Sequence, residues 1–317
     1  MAKFVLSFPF RSRRLLWIRT GILVILLVCV WAFAQEEKTI TTAPDLTPDA
    51  HGMLSQEQMQ QLLRVVAEKD LENDKVQRDY TYVERQVTTK LDGKGNVKST
   101  EEETYDILEI DGEQVQRLTS KEGKPLSAKD AAKEDAKIEK IIDKHKNESE
   151  NDRKKREERD EKDREEDRQF VREVADAYNF KLVGTESING RDAWVISGEP
   201  RPGFVPHMKN AKYLPKFHGR VWIDKGDLQL AKMDVEALDT ISWGLFFARF
   251  HKGSHFMLEQ NRVNNEVWLP EHLAVKVDLR LALFKNFNVN VDQNFSDYKK
   301  FRTSARIIGM KEIKQPN

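Results

Sequence analysis

From Asp143 to Gln169 the chain has no aliphatic side chain and no phenylalanine, tyrosine or tryptophan. Within it, "NDRKKREERDEKDREEDRQF" (151–170) is almost pure charge of both signs up to its last residue. Such a segment cannot bury a face, so any core must come from the sequence on either side of it. Its ends are different: Ile138, Ile141 and Ile142 precede it, and Phe170, Val171, Val174, Ala175 and Tyr178 follow at helical spacing. The middle fits an exposed helix held by pairs such as Asp152–Arg156, Glu158–Lys162 and Asp160–Arg164, each contributing about 0.3–0.5 kcal/mol. It also fits disorder between helical ends. A continuous helix over 150–178 would be about 45 Å long. Either way, 129–178 reads as a long charged helical insertion between strands. It serves as a solvated spacer or as an arm that docks a partner.

The flanking sequence is built for a sheet. Ser55 and Gln58 form a capping box ahead of Met59, Leu62, Leu63 and Val66, the apolar stripe of one covering helix. "YTYVERQVTTKLD", "KSTEEETYDILEID" and "QVQRLTSK" follow as a meander, with turns at "DGKGN" and "DGE". After the insertion, Asn189-Gly190 and Lys225-Gly226 mark hairpins, and 201–218, with Pro202, Pro206 and Pro215, reads as a long loop. The last strands alternate cleanly. Leu273, Val275, Val277, Leu279, Leu281 and Leu283 share one side, with Lys276, Asp278 and Arg280 on the other. Phe287, Val289 and Val291 then oppose Asn286, Asn288, Asn290 and Asp292. That is an antiparallel sheet with one apolar and one wet face. The fold class expected is mainly β with α: a strongly curved antiparallel sheet, an open half-barrel, with covering helices. A two-sheet sandwich is the rival. The helix and first strands occupy 54–128, and the remaining strands of the same unit 179–312.

The N-terminus reads as an address. Lys3, Arg11, Arg13, Arg14 and Arg19 precede "GILVILLVCVWAFA", and Ala32-Phe33-Ala34 fits a signal-peptidase site. Residues 1–34 are thus expected to be a signal peptide and 35–53 a flexible lead-in, with an uncleaved membrane anchor as the alternative. The only cysteine, Cys29, lies inside this segment, so the mature chain has no disulfide, thiol nucleophile or cysteine-based metal site.

No G-x-S-x-G, H-E-x-x-H, P-loop or G-x-G-x-x-G occurs, and 53 basic residues balance 53 acidic ones, which argues against nucleic acid. His251 and His255 in "HKGSH" read as histidines flanking a hairpin turn, not as a metal pair. Acid pairs in the charged run lack the desolvation that tunes a catalytic carboxylate. Trp243, Phe246, Phe247 and Phe250 are ordinary core, the lip of a greasy pocket, or a surface that touches membrane.

The order of export signal, capping helix, meander, helical insertion and long one-sided strands resembles the outer-membrane lipoprotein-sorting group, the LolA-, LolB- and RseB-like half-barrels. "YTYVERQ" (80–86), "GRVWIDKGDLQLAKMDVEA" (219–237) and "VWLPEHLAVKVDL" (267–279) carry the resemblance. It implies a curved sheet whose apolar face, roofed by helices, holds acyl chains or a lipidated peptide. No residue role is carried over from the family. The expected function is non-enzymatic: an exported periplasmic or envelope protein that binds a lipid, acyl chain or lipidated peptide, with lipoprotein sorting as the specific form. The expected lining is Met59, Leu62, Leu63, Val66, Trp243, Phe247, Val275, Val277, Leu279, Leu281, Phe287, Val289 and Val291. No cofactor or metal is expected, and the protein is expected to be a monomer with membrane contact as an option. The alternative is an envelope interaction or sensor module that docks a protein partner through its charged arm.

Overall fold

A computed structural model describes residues 44–110, 113–243, 248–281 and 285–300. In chain order the elements are β1 (Met53–Leu54), α1 (Gln56–Gln77), β2 (Tyr80–Leu91), β3 (Val97–Ile110), β4 (Glu113–Lys121), β5 (Lys124–Pro125), α2 (Ala128–Lys146), α3 (Glu150–Ala177), β6 (Tyr178–Ile188), β7 (Arg191–Pro200), a 3-10 turn (Ala211–Lys216), β8 (Phe217–Asp224), β9 (Leu230–Ala237), β10 (Ile241–Trp243), β11 (Ala248–Phe250), β12 (His255–Val263), β13 (Val267–Leu281) and β14 (Lys285–Lys300). The protein is mainly β. One antiparallel sheet runs β1-β6-β7-β8-β9-β12-β13-β14-β2-β3-β4-β5, with β10 and β11 alongside β13. Among the described residues the sheet does not close.

Sequence chemistry sets the local geometry. Ser55 and Gln58 form the expected capping box, each accepting from the other's backbone N–H. Asn189 and Gly190 both take positive φ (50° and 78°), the pairing that a two-residue hairpin between right-twisted strands requires. At the β8–β9 turn, Asp224 is 1% exposed and accepts from the backbone N–H groups of Gly226 (3.0 Å) and Asp227 (2.7 Å). It also receives both prongs of Arg191, at 2.8 and 2.7 Å. The Trp222-Ile223-Asp224 run therefore ends in a carboxylate that organises its own turn.

Three expectations are corrected. The charged segment is helical, as α2 and α3 with a break at 147–149, but it is not an insertion between neighbouring strands. β5 ends one side of the sheet and β6 pairs with β1 at the other, so α2 and α3 form the crossover that joins the two edges. Ile138, with Ile141 and Ile142, anchors the first end against Leu108, Ile110 and Val115. Phe170, Val174 and Ala177 anchor the other in the main core. The ion pairs also differ. Arg156 pairs with Glu148 (2.8 Å) across the break, and Lys162 with Glu166 at 3.7 Å, while the Asp160 and Arg164 side chains lie outside the described set. Likewise "HKGSH" is not a hairpin turn. β11 and β12 both pair with β13, at 279–281 and 267–276, so these residues are a step between two segments lying in line. His255 there is bonded to Asp234 (2.7 Å).

The lead-in is partly tied down. Leu46 is buried in the core and Asp49 accepts from the backbone N–H groups of His51 and Met53. The signal segment and Leu283 lie outside the described residues. No helix among the described residues is long and apolar enough to cross a membrane.

α1 lies across the sheet and is pinned at both ends. Gln56 donates to the Tyr178 carbonyl on β6 (3.0 Å). On β13, the Asn73 amide holds Trp268 as a neighbouring strand would: Nδ2 donates to its carbonyl (2.8 Å) and Oδ1 accepts from its N–H (2.7 Å). β14 pairs with β13 only from His272 onward, so Asn73 supplies bonds that β14 does not. Asn73→Ala leaves two buried main-chain groups without these partners and should cost about 2–4 kcal/mol. Gln77→Ala, which removes a second donor to the same carbonyl (2.9 Å), should cost less. Urea unfolding of the two variants checks the order.

Candidate functional site

Directly paired residues of an antiparallel ladder share a face, so the register traces continuous rows across the face that α1 covers. One row, from β6 to β4, reads Leu182, Ile196, Val221, Met233, Leu258, Leu273, Gln293, Gln86, Glu103 and Lys121. The next reads Phe180, Gly198, Gly219, Val235, Phe256, Val275, Val291, Thr88 and Glu101. A Cβ on Gly219 would sit 2.4 Å from the Asp234 carbonyl oxygen, so only glycine permits this crossing. Both rows are apolar or glycine as far as β13 and polar from β2 onward. The change of character falls where α1 ends.

Of the expected lining residues, Met59 and Leu62 are wholly buried, and Val66 and Leu63 join them in one packed cluster with Phe180, Ile196, Met233 and Leu258. Under α1 the space is filled. Val275 packs against the edge of that cluster. Val277, Val289 and Val291 are half-buried, with Val277 opposite Val289 and Val275 opposite Val291. Leu279 pairs with Phe287 and Leu281 with Lys285 on the outward continuation of the same strands, and Trp243 on β10 pairs with Ala248 on β11. The side chains of Leu279, Leu281, Phe287 and Trp243, and all of Phe247, lie outside the described residues.

The residues not foreseen are polar. Glu84 is fully buried. Its Oε1 accepts from Gln293 Nε2 (2.5 Å) and its Oε2 from Gln116 Nε2 (3.0 Å). Gln293 Nε2 also reaches Gln86 Oε1 (2.7 Å). Gln116 on β4 and Glu84 on β2 lie two strands apart, as do Tyr82 and Gln114 (3.2 Å), yet they meet across β3. Glu103 accepts from the Tyr105 hydroxyl (2.5 Å) and pairs with Lys121 (2.9 Å). Burial alone would raise the Glu103 carboxyl, but the Tyr105 and Lys121 hydrogen bonds outweigh it and hold it below the usual value. Alternation in "YTYVERQ" places Glu84 and Gln86 on the side of Tyr82. That was a legible signal, masked by Val83 and Val87 on the other side.

The roof turns polar at the same place. Helical spacing continues the stripe of Met59, Leu62 and Val66 through Asp70, Asn73 and Gln77. Burial drives the Asp70 carboxyl well above the usual carboxylate range, and Asp74 one turn on adds to the shift.

No protein-family model matches the chain, and no curated protein matches it. Solved structures do. An outer-membrane lipoprotein-sorting domain, so described, from Vibrio parahaemolyticus is similar at 12% identity over 78% of this chain and 95% of its own, with a TM-score of 0.32. A LolA superfamily protein from Nitrosomonas europaea is similar at 11% identity over 78% and 97%, TM-score 0.30. MucB, solved in complex with MucA(peri), is similar at 12% over 75% and 94%, TM-score 0.23. The group that the sequence motifs resemble is thus the one met among solved structures.

The two carboxylates give opposite pH signatures. Glu103 has a lowered folded-state pKa, so its contribution is present above the ordinary glutamate value of 4.5 and fades as pH falls through the lower value. Asp70 has a raised one, so ionising it costs stability at neutral pH and stability is regained as pH falls through the raised value. Asp70→Asn should therefore raise the melting temperature at neutral pH, and the gain should shrink on acidification. Glu103→Gln should lower it at neutral pH, with the loss shrinking below about pH 4. Thermal melts across pH separate the two.

Proposed function

We propose that this chain is a non-enzymatic cell-envelope protein that holds an amphiphile, an acyl chain with a polar end, against the part of the sheet that α1 leaves uncovered. One observation carries the proposal: the rows pass from aliphatic to hydrogen-bonding side chains at β13–β14, beyond the roof, with half-buried valines on one side of the change. A chain laid over Val275, Val277, Val289 and Val291 gains about 0.8 kcal/mol per methylene buried. Met59, Leu62, Leu63 and Val66 back it from beneath the roof.

The half-barrel form belongs to this proposal. Strands in a flat sheet are about 4.8 Å apart, so long side chains two strands apart have about 9.6 Å to bridge, and a hollowed face brings them together more readily. The Tyr82–Gln114 and Glu84–Gln116 bonds support such hollowing at β2–β4. The N-terminal basic and apolar run supports export, and lipoprotein sorting is the specific form of the function that the motifs suggest.

A second reading has an observation of its own: α3 exposes Asp152, Arg153, Lys154, Lys155, Glu158 and Arg159 along its first half, a surface that an envelope partner could engage. As a crossover, α2–α3 cannot be excised without cutting the link between edges, so that reading is tested by neutralising these charges.

The exported protein, purified from cells without detergent and examined by native mass spectrometry, should retain an acyl lipid. A fluorescent fatty-acid ester should bind it and be displaced by unlabelled ester. Val289→Asp, which places a carboxylate in the strip, should weaken binding by about tenfold or more. A wild-type protein that retains no lipid and binds no ester overturns the proposal.

A further inference from the structure

The amides on the part of the face beyond α1 have a fixed polarity, and Glu84 fixes it. A carboxylate only accepts, so Gln293 and Gln116 turn their Nε2 groups toward Glu84 Oε1 (2.5 Å) and Oε2 (3.0 Å). Gln293 Nε2 also faces Gln86 Oε1 at 2.7 Å, which turns the Gln86 Nε2 outward. That group donates to Thr88 Oγ1 at 3.3 Å. The Thr88 oxygen is thereby used as an acceptor, and its hydroxyl hydrogen is left to point away from the relay. Among the described residues that hydrogen has no acceptor. Hydrogen bonds in such a chain polarise one another, so the last hydroxyl is the better donor for standing at its end.

Thr88 stands where the two halves of the face meet. It is half-buried, directly opposite Val291 on one side and Glu101 on the other. Val291 leads to Val275 across the ladder, and Val289–Val277 is the next pair outward. Two donors on β2 therefore flank the aliphatic strip: the Thr88 hydroxyl opposite Val291, and opposite Val289 the Lys90 ammonium, which is already paired with Glu101. Glu101 and Glu103, the residues opposite Thr88 and Gln86, are paired with Lys90 and Lys121, so the charges around Thr88 are balanced and a neutral acceptor is the match for its hydroxyl.

We propose that the Thr88 hydroxyl donates to the carbonyl oxygen of the ester or amide that joins an acyl chain to its polar end, the chain lying along Val275, Val277, Val289 and Val291. This rests on the amphiphile function proposed above and adds to it the chemical group that is read. The carbonyl could belong to a lipid ester or to an N-acyl peptide, and both present the same acceptor.

The experiment compares monolauroyl glycerol with lauryl glyceryl ether, which share chain and headgroup and differ in the carbonyl. Wild type should bind the ester about fivefold more tightly than the ether, the range of one neutral hydrogen bond. Thr88→Val, close in shape but without the hydroxyl, should bind both with the ether's affinity, and Thr88→Ser should restore the preference. A lauroyl-glycine amide in place of the ester distinguishes the two sources: tighter binding of the amide points to an acylated peptide, tighter binding of the ester to a lipid, and both uphold the donor. Equal binding of ester and ether by wild type, or an ester preference that survives in Thr88→Val, overturns the assignment while leaving amphiphile binding intact. If wild type binds neither compound, the amphiphile function falls and the assignment with it.

Discussion

A single helix of fixed reach divides this sheet. α1 is pinned at Gln56 to β6 and at Asn73 to β13. Between those residues it rises about 26 Å. The strands from β6 to β13 span about 24 Å. The helix can therefore cover that stretch and no more. Where it lies, Met59, Leu62, Ile196 and Met233 are fully buried and pack solidly. Where it stops, the rows of the sheet turn polar. The roof's own stripe changes in step, from Val66 to Asp70 and Asn73.

The open sheet raises a second problem, since unpaired edges invite association. The chain uses its oddest segment at one of them. α2 lies along β4, where Lys137 donates to the Gln116 carbonyl (3.2 Å) and the Leu118 N–H reaches Glu134 (3.3 Å). Its isoleucines tuck against Leu108, Ile110 and Val115. Leu108 and Ile110 alternate with Ile107, which faces Tyr82 and Phe295 on the other side. So α2 covers the face opposite to the one that α1 covers, and the crossover must travel from one face and edge to the other. A long, apolar-ended, ionic helix suits that task because its middle crosses water.

The sequence made the local devices plain and the long-range ones opaque. The capping box at Ser55–Gln58, the positive-φ pair Asn189-Gly190 and the one-sided strands of β13 and β14 each depend on residues a few positions apart. The role of 143–169 depends on β5 and β6 lying at opposite ends of the sheet, which no local pattern encodes. "HKGSH" carries the composition of a turn, and only the pairing of both β11 and β12 with β13 shows it to be a step. Pairing also slips along β13: a register shift between Glu259 and Gln260 of β12 brings Pro270 and His272 opposite successive residues and skips Glu271. The site was half legible for a related reason. Its valines follow the period-two pattern, whereas Glu84, Gln86 and Gln293 look like solvent-facing positions until the sheet order sets them beside one another.

Glu84 shows why such residues persist in a face that could have been aliphatic. A fully buried carboxylate is destabilising unless its oxygens are met by donors, and here they are met by amides from strands on both sides, β14 and β4. Replacing all of them with leucines of similar volume would pack at least as well. It would also make the part of the face beyond α1 continuous with the apolar half, with no preferred direction for anything held against it. The polar block gives that surface an end. Because the carboxylate accepts only, the orientation of each amide follows from it, and the face acquires a sense running from Glu84 through Gln293 and Gln86 to Thr88. An aliphatic strip that terminates in oriented hydrogen-bonding groups can distinguish the two ends of an amphiphile, which a uniformly apolar trough cannot.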